Sequence, residues 1–358
     1  MRNFQLPGRS VAYGTEGMAA TSSPLATLFA LDILRNGGNA VDAAVAASAV
    51  LCITEPHMTG IGGDCFALIG KSDGTIEGVN GSGRAGRRAD ADWLKTARLQ
   101  SIETRSVHAV TVPGAVDAWA ALLARHGTLD LHEALKPAIR LAEAGVPTTP
   151  RVAQDWAQEA ADLAQDDGAK LHYLKDGRAP CEGEVMRYPA LARTLKRIAA
   201  QGRDGFYTGE IAEEIVGLLA ARGGLLTLED LAETKASWVE PISTSFAGVE
   251  LAEIPPNGSG LTALIALNIL KQFDMAKYGA HSVERYHLQI EAMKLAWVLR
   301  NRHIAERPFM TVAPEDLLSD KTAGDLAALI DMKRAIVNPE NRIPMPGSDT
   351  VYLTVADR

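Results

Sequence analysis

Near the C-terminus, the run Gly347-Ser348-Asp349-Thr350-Val351-Tyr352-Leu353-Thr354-Val355-Ala356-Asp357 places a threonine where chemistry could begin. Pro344, Pro346 and Gly347 disfavour helix on the approach. From Thr350, hydroxyl or aromatic side chains (Thr350, Tyr352, Thr354) alternate with aliphatic ones (Val351, Leu353, Val355). Period two predicts a half-buried strand beginning at Thr350. If the peptide bond before Thr350 is cut, its hydroxyl lies beside its own free α-amine, and the amine can take the proton. One residue then supplies both nucleophile and base. Uncut, Thr350 is an ordinary threonine at a strand start.

A second group of chemical residues lies in the glycine-rich run Asn80-Gly81-Ser82-Gly83-Arg84-Ala85-Gly86-Arg87-Arg88. Glycines such as Gly83 let backbone approach a ligand. Ser82 and Arg84 could grip a carboxylate, since a guanidinium suits bidentate carboxylate binding. The plainer alternative is a basic surface loop, because Arg87 and Arg88 follow closely.

Other candidates have simpler readings. Thr59-Gly60-Ile61-Gly62-Gly63-Asp64 has a helix before it and a strand after it, the wrong order for a dinucleotide loop. A tight turn, able to present N–H groups to an anion, fits better. Pro255-Pro256-Asn257-Gly258-Ser259-Gly260 reads as a strand-to-helix turn. Glu291 and Lys294 read as a surface pair. His57, His108, His281 and His287 are scattered, with no nucleophile at a telling spacing. Cys65, beside Phe66 and Leu68, reads as a small core residue.

These residues need elements to hold them. Ser23-Pro24 starts a helix that Gly37-Gly38 ends. Asn39 caps an Ala-rich second helix to about Leu51, with Ala43–Ile53 as a buried run. Cys65–Ile69 and Ile76–Val79 form a hairpin around Asp73-Gly74. Three- and four-residue apolar spacing predicts helices over Gly114–Arg125, Leu131–Ala144, Tyr188–Gln201 and Gly209–Arg222. Thr227 starts a short helix, and Ile242–Phe246 and Val249–Ile254 make a second hairpin. Helices over Leu261–Phe273 and from Ser282 to about Arg302 follow. No internal repeat and no long linker divides the chain.

Bulk properties exclude several classes. The 358 residues are 47% hydrophobic and 22% charged, as in an ordinary soluble protein. A net charge of −8 argues against nucleic acid or an anionic membrane as partner. No apolar stretch reaches transmembrane length, and the first ten residues show no signal-peptide core. Three cysteines (Cys52, Cys65, Cys181) suggest neither a disulfide framework nor a zinc site, so no metal or other cofactor is expected. A cytoplasmic location is the expectation.

Many ordered motifs point together. They are Gly17-Met18-Ala19-Ala20, Gly37-Gly38-Asn39-Ala40-Val41-Asp42-Ala43-Ala44, Glu55-Pro56-His57 with Gly60–Gly63, and Val112-Pro113-Gly114. Then come Gly205-Phe206-Tyr207-Thr208-Gly209, Pro255–Gly260, Glu291–Ala296 and Asp349-Thr350. In this order the chain resembles the γ-glutamyltransferase family of N-terminal nucleophile hydrolases. The resemblance implies an α+β fold, a four-layer αββα sandwich. It also implies a precursor that cuts itself at Asp349–Thr350, leaving Thr350 as the catalytic residue. Residues 1–349 would be the large-subunit portion of a single domain, and residues 350–358 the start of the small subunit. Large and small subunits would stay together as a heterodimer, and the resemblance allows a dimer of heterodimers. The family's oxyanion-hole residues would lie beyond Arg358, so the chain is expected to be a large subunit with a few small-subunit residues, or a truncated precursor.

Two departures bear on substrate. Family transpeptidases carry an arginine followed by an acid where this chain has Ser82-Gly83, and the nearest arginine here is Arg84. Thr350-Val351-Tyr352-Leu353 replaces their Thr-Thr-His-Tyr. The pattern resembles the acylase-like and amidohydrolase-like branch, which implies an amidohydrolase acting on a small acidic amide such as oxamate, with Arg84, Ser82 and Gly83 at the substrate. The alternatives are a γ-glutamyltransferase or glutathione hydrolase, a glutaryl-type acylase, and an unprocessed, inactive homologue that acts as an assembly partner.

Overall fold

The computed structural model describes residues 11–97, 99, 101–337 and 350–358. Pro344, Pro346, Gly347 and Asp349 lie outside the described residues, as do the first ten. Helices and strands are mixed in an α+β arrangement. The chain groups into two compact units, one drawn from Met1–Cys65, Gly81–Ala236 and Ser348–Arg358, the other from Phe66–Asn80 and Ser237–Gly347.

The first unit is built on the helix Ala40–Thr54. Its alanines at 43, 46, 47 and 49 are fully buried. Small side chains there let the helices Pro24–Arg35, Ala115–His126 and Leu131–Ala144 pack closely against it. Burying each of Val45, Val50, Leu51 and Ile53 contributes about 1.5–3 kcal/mol. A capping box starts the helix. Asn39 Oδ1 accepts from the Val41 and Asp42 amides, both at 3.0 Å, and Asp42 accepts from the Asn39 amide at 2.9 Å. The helix runs three residues past the expected end and stops at Glu55, which Pro56 holds out of helical geometry. Ser23 occupies the N-cap of Pro24–Arg35 without a side-chain capping bond. Thr21 braces the approach, accepting from the Ser23 amide at 3.2 Å and donating its hydroxyl to the Ser23 carbonyl at 2.7 Å.

The C-terminal strand is shorter than the alternation suggests. It covers Thr354–Ala356 and pairs antiparallel with Met18–Ala20, in the register Met18↔Ala356 and Ala20↔Thr354. Thr350 and Tyr352 precede it and are exposed, Tyr352 at 83%. The partner sets the limit: after Ala20 the chain bends into the helix start at Pro24, leaving nothing opposite residues 350–353 in this ladder.

In the second unit, Ile76–Gly81 lies between Cys65–Gly70 and the antiparallel strand Ser237–Val239, with Gly78 opposite Val239 and Asn80 opposite Ser237. Ile242–Phe246 and Val249–Glu253 form the expected hairpin. Ala247 (φ 52°) and Gly248 (φ 84°) make its two-residue turn, and positive φ at both positions suits the strands' twist. The helix Gly260–Leu270 packs its apolar residues, among them Leu261, Ile265 and Ile269, against Leu288, Ala292 and Ala296 of Val283–His303. It ends at Leu270, short of the expected Phe273.

The Glu291–Lys294 pair is not on the surface. Glu291 is 1% exposed; it accepts from Lys294 Nζ at 2.7 Å and from the Ile336 amide at 3.0 Å. Lys294 also donates to the Ile336 carbonyl at 2.9 Å. The spacing gave the pair correctly, but the segment around Ile336 folds over it.

Candidate active site

Three glycine-bearing segments converge in the first unit. Gly114 and Ala115 donate their amides to the Gly63 carbonyl at 2.9 and 3.1 Å. Val112 donates to the Arg84 carbonyl at 2.8 Å. Gly83 has a left-handed backbone (φ 74°), and a Cβ there would overlap the Val112 carbonyl oxygen. A Cβ on Gly114 would likewise overlap the Gly81 carbonyl oxygen. Backbones can cross this closely only where both side chains are hydrogen.

The loop is held beyond the crossing as well. Gly86 is buried, Arg87 donates its amide to Asp230 Oδ1 at 3.2 Å, and the Arg87 guanidinium pairs with Glu233. Between these fixed ends, Ser82 is half-buried, its hydroxyl donating to the Gly83 carbonyl at 3.4 Å, and the Arg84 side chain is exposed. A guanidinium on a clamped backbone can present two parallel N–H groups to an anion at small entropic cost.

Thr350 is held by a different set of contacts. It lies four residues ahead of the strand Thr354–Ala356. Past that strand, Asp357 Oδ2 accepts from the Ala40 amide at 2.7 Å, at the positive end of the Ala40–Thr54 helix. Arg358 pairs with Glu16 at 2.7 Å. The structure thus brings Ser82, Gly83 and Arg84 into one clamped loop and anchors the segment that carries Thr350 in the same unit. Asp349, the other half of the expected cleavage bond, lies outside the described residues.

Several of the remaining candidates make structural contacts. The Gly60–Gly63 turn uses the Gly63 carbonyl as an acceptor. Asn257, in the Pro255–Gly260 turn, accepts from Asn80 Nδ2 at 2.9 Å. His57 lies 3.5 Å from Asp155, and His287 bonds the Asp331 carbonyl at 2.9 Å. Cys65 is half-buried on a strand, but Phe66 and Leu68 do not bury it. Alternation puts those two on the opposite, more exposed face, at 40% and 42%. Burial and the neighbouring Asp64 push the Cys65 thiol up to about 12, and burial pushes the Cys52 thiol up to about 12. Among the described residues no cluster of His, Cys, Asp and Glu is arranged to hold a metal ion, and no helix is long and apolar enough to cross a membrane.

The family model described as gamma-glutamyltranspeptidase matches residues 26–358. The chain belongs to the gamma-glutamyltranspeptidase family. It is similar to the crystal structure of cephalosporin acylase from Bacillus halodurans, with 43% identity and a TM-score of 0.89, over 99% of this chain and 66% of that one. It is 36% identical to the oxamate amidohydrolase proenzyme of Klebsiella pneumoniae and 35% identical to the glutathione hydrolase-like YwrD proenzyme of Bacillus subtilis. Each of those matches covers 96% of this chain and 65% of the relative, so the chain spans just under two thirds of the length of these curated relatives. The expected α+β fold of the N-terminal nucleophile hydrolases is the fold found.

Two family motifs had no residue-level role in the sequence reading and acquire one here. Val112-Pro113-Gly114 is the segment that crosses the Gly81–Arg84 loop. Tyr207, from Gly205–Gly209, is buried, and its hydroxyl donates to the Pro113 carbonyl at 2.7 Å while accepting from the Asp117 amide at 3.1 Å. The available signal was an aromatic hydroxyl flanked by glycines, with no indication of its partner.

Proposed function

We propose that the protein is an autoprocessing amidohydrolase with an N-terminal threonine nucleophile, acting on small acidic amides, with oxamate as the leading candidate. Hydrolysis of the Asp349–Thr350 bond frees the Thr350 amine. The Thr350 hydroxyl then attacks the substrate carbonyl, passing its proton to that amine. The C–N bond breaks, the leaving nitrogen takes the proton, and an ester to Thr350 remains. Water hydrolyses the ester, releasing the acid and restoring the threonine. Arg84, with Ser82 and Gly83, engages the substrate's carboxylate. The small subunit produced by the cleavage is the partner, and the cytoplasm is the proposed location.

The observation that carries this reading is the clamped Gly81–Arg84 loop, which fixes the backbone of an exposed arginine in a chain 36% identical to an oxamate amidohydrolase proenzyme. A second reading, an acylase of larger acidic side chains, is favoured by the 43% identity to a cephalosporin acylase.

The full-length protein should split into two bands, the smaller beginning at Thr350 by mass spectrometry, and Thr350→Ala should stay whole and inactive. A screen of oxamate, γ-glutamyl and glutaryl amides then assigns the substrate. Arg84→Ala should raise KM for the anionic amide roughly 10- to 100-fold, the worth of a lost charge-assisted hydrogen bond, while sparing a neutral isostere such as oxamide. A single uncut band that still turns over amide rules out the threonine mechanism, and equal losses on both amides remove Arg84 from the site.

A further inference from the structure

We infer that Tyr207 is a positioning residue for the substrate carboxylate, acting through Pro113-Gly114 on the loop that carries Arg84. This rests on the proposed role of Arg84. The path is short and made of fixed parts. The Tyr207 hydroxyl donates to the Pro113 carbonyl at 2.7 Å. The next residue, Gly114, packs its Cα on the Gly81 carbonyl and donates to Gly63, and Val112 on the other side donates to the Arg84 carbonyl. A shift of Pro113 therefore moves both contacts that set the height of Arg84.

The tyrosine is itself held at its hydroxyl and over its ring. The Asp117 amide donates to its hydroxyl at 3.1 Å. The Arg203 guanidinium stacks over its ring, 4.6 Å from the centroid, and pairs with the buried Asp117 carboxylate. Arg203 also donates to the Ala232 carbonyl at 3.0 Å. Burial raises the phenol above its ordinary range, which favours the neutral, donating form. A ring this thoroughly packed needs no hydroxyl for its packing. The oxygen's placement between Pro113 and Asp117 is what gives it a second task.

Tyr207→Phe keeps the ring and removes one hydrogen bond. On the anionic amide identified by the screen, KM should rise roughly two- to tenfold, the worth of one such bond. The kcat, and the KM for the neutral isostere, should change less than about twofold. In the Tyr207→Phe/Arg84→Ala double variant the two KM effects should not add, since one acts through the other. Arg203→Lys, which keeps the charge on Asp117 but withdraws the stacked plane, should reproduce the selective KM effect and serves as the second variant where Tyr207→Phe fails to accumulate.

An unchanged KM in Tyr207→Phe, or in Arg203→Lys where Tyr207→Phe fails to accumulate, overturns the inference. So do equal losses on anionic and neutral amides, or additive effects in the double variant, each of which marks a merely structural contact. If Arg84→Ala itself fails to discriminate between the amides, or if wild type turns over none of them, the reading of Arg84 falls and the inference falls with it. A selective Arg84→Ala effect beside a silent Tyr207→Phe removes the inference alone.

Discussion

At the scale of single residues, the competition for nucleophile is between a threonine and two thiols. Burial raises Cys52 and Cys65 from an ordinary 9.0 to about 12. A raised thiol stays protonated in the folded protein; that contribution to stability is fully present below 9.0 and is lost progressively as pH rises from there through about 12. At pH 8 neither offers a thiolate. Iodoacetamide at that pH should therefore label the exposed Cys181 in the native protein, and label Cys52 and Cys65 only after denaturation, read by peptide mass spectrometry. Rapid native labelling of Cys65 would reopen a thiol mechanism. Thr350 faces no such burial, since it is exposed.

At the scale of elements, one carboxylate joins two helices. Asp42, fully buried, completes the Asn39 capping box and also accepts from the Thr128 amide at 2.9 Å, the Thr128 hydroxyl at 2.7 Å and the Leu129 amide at 3.0 Å. Those residues lead into the helix Leu131–Ala144. Asp42→Ala leaves three backbone donors without their acceptor, and stability should fall by about 3–5 kcal/mol, measured as a lower urea midpoint. The cap was legible, because Asn followed by an acid three residues on is a local signal. The second task was not, because its partners stand 86 residues away in sequence. The same division runs through the candidate site. Glycines at 83 and 114 announce permissive backbone but not which carbonyl each must pass, and the alternation from Thr350 announces a strand but not where its partner ends. Helices with strong apolar spacing, such as Leu131–Ala144, came out at their predicted limits. The burial of Glu291 depends on a segment more than forty residues downstream, which local spacing cannot see.

At the scale of the molecule, the last residues are tied to the first unit by contacts that do not depend on the bond before Thr350. Thr354–Ala356 pairs with Met18–Ala20, Asp357 meets the Ala40 amide, and Arg358 meets Glu16. After cleavage, the two fragments should elute together in gel filtration, and Asp357→Ala should lower the urea concentration needed to part them. Separate elution in plain buffer would contradict this. The crossing of Gly83 under Val112 and of Gly114 under Gly81 carries a consequence for descent. With this backbone path, any side chain at 83 or 114 pushes two backbones apart, so a relative with an acid at 83 must route one of the two segments differently. A new appetite at this loop therefore entails a new course for the main chain, not a swap of letters alone.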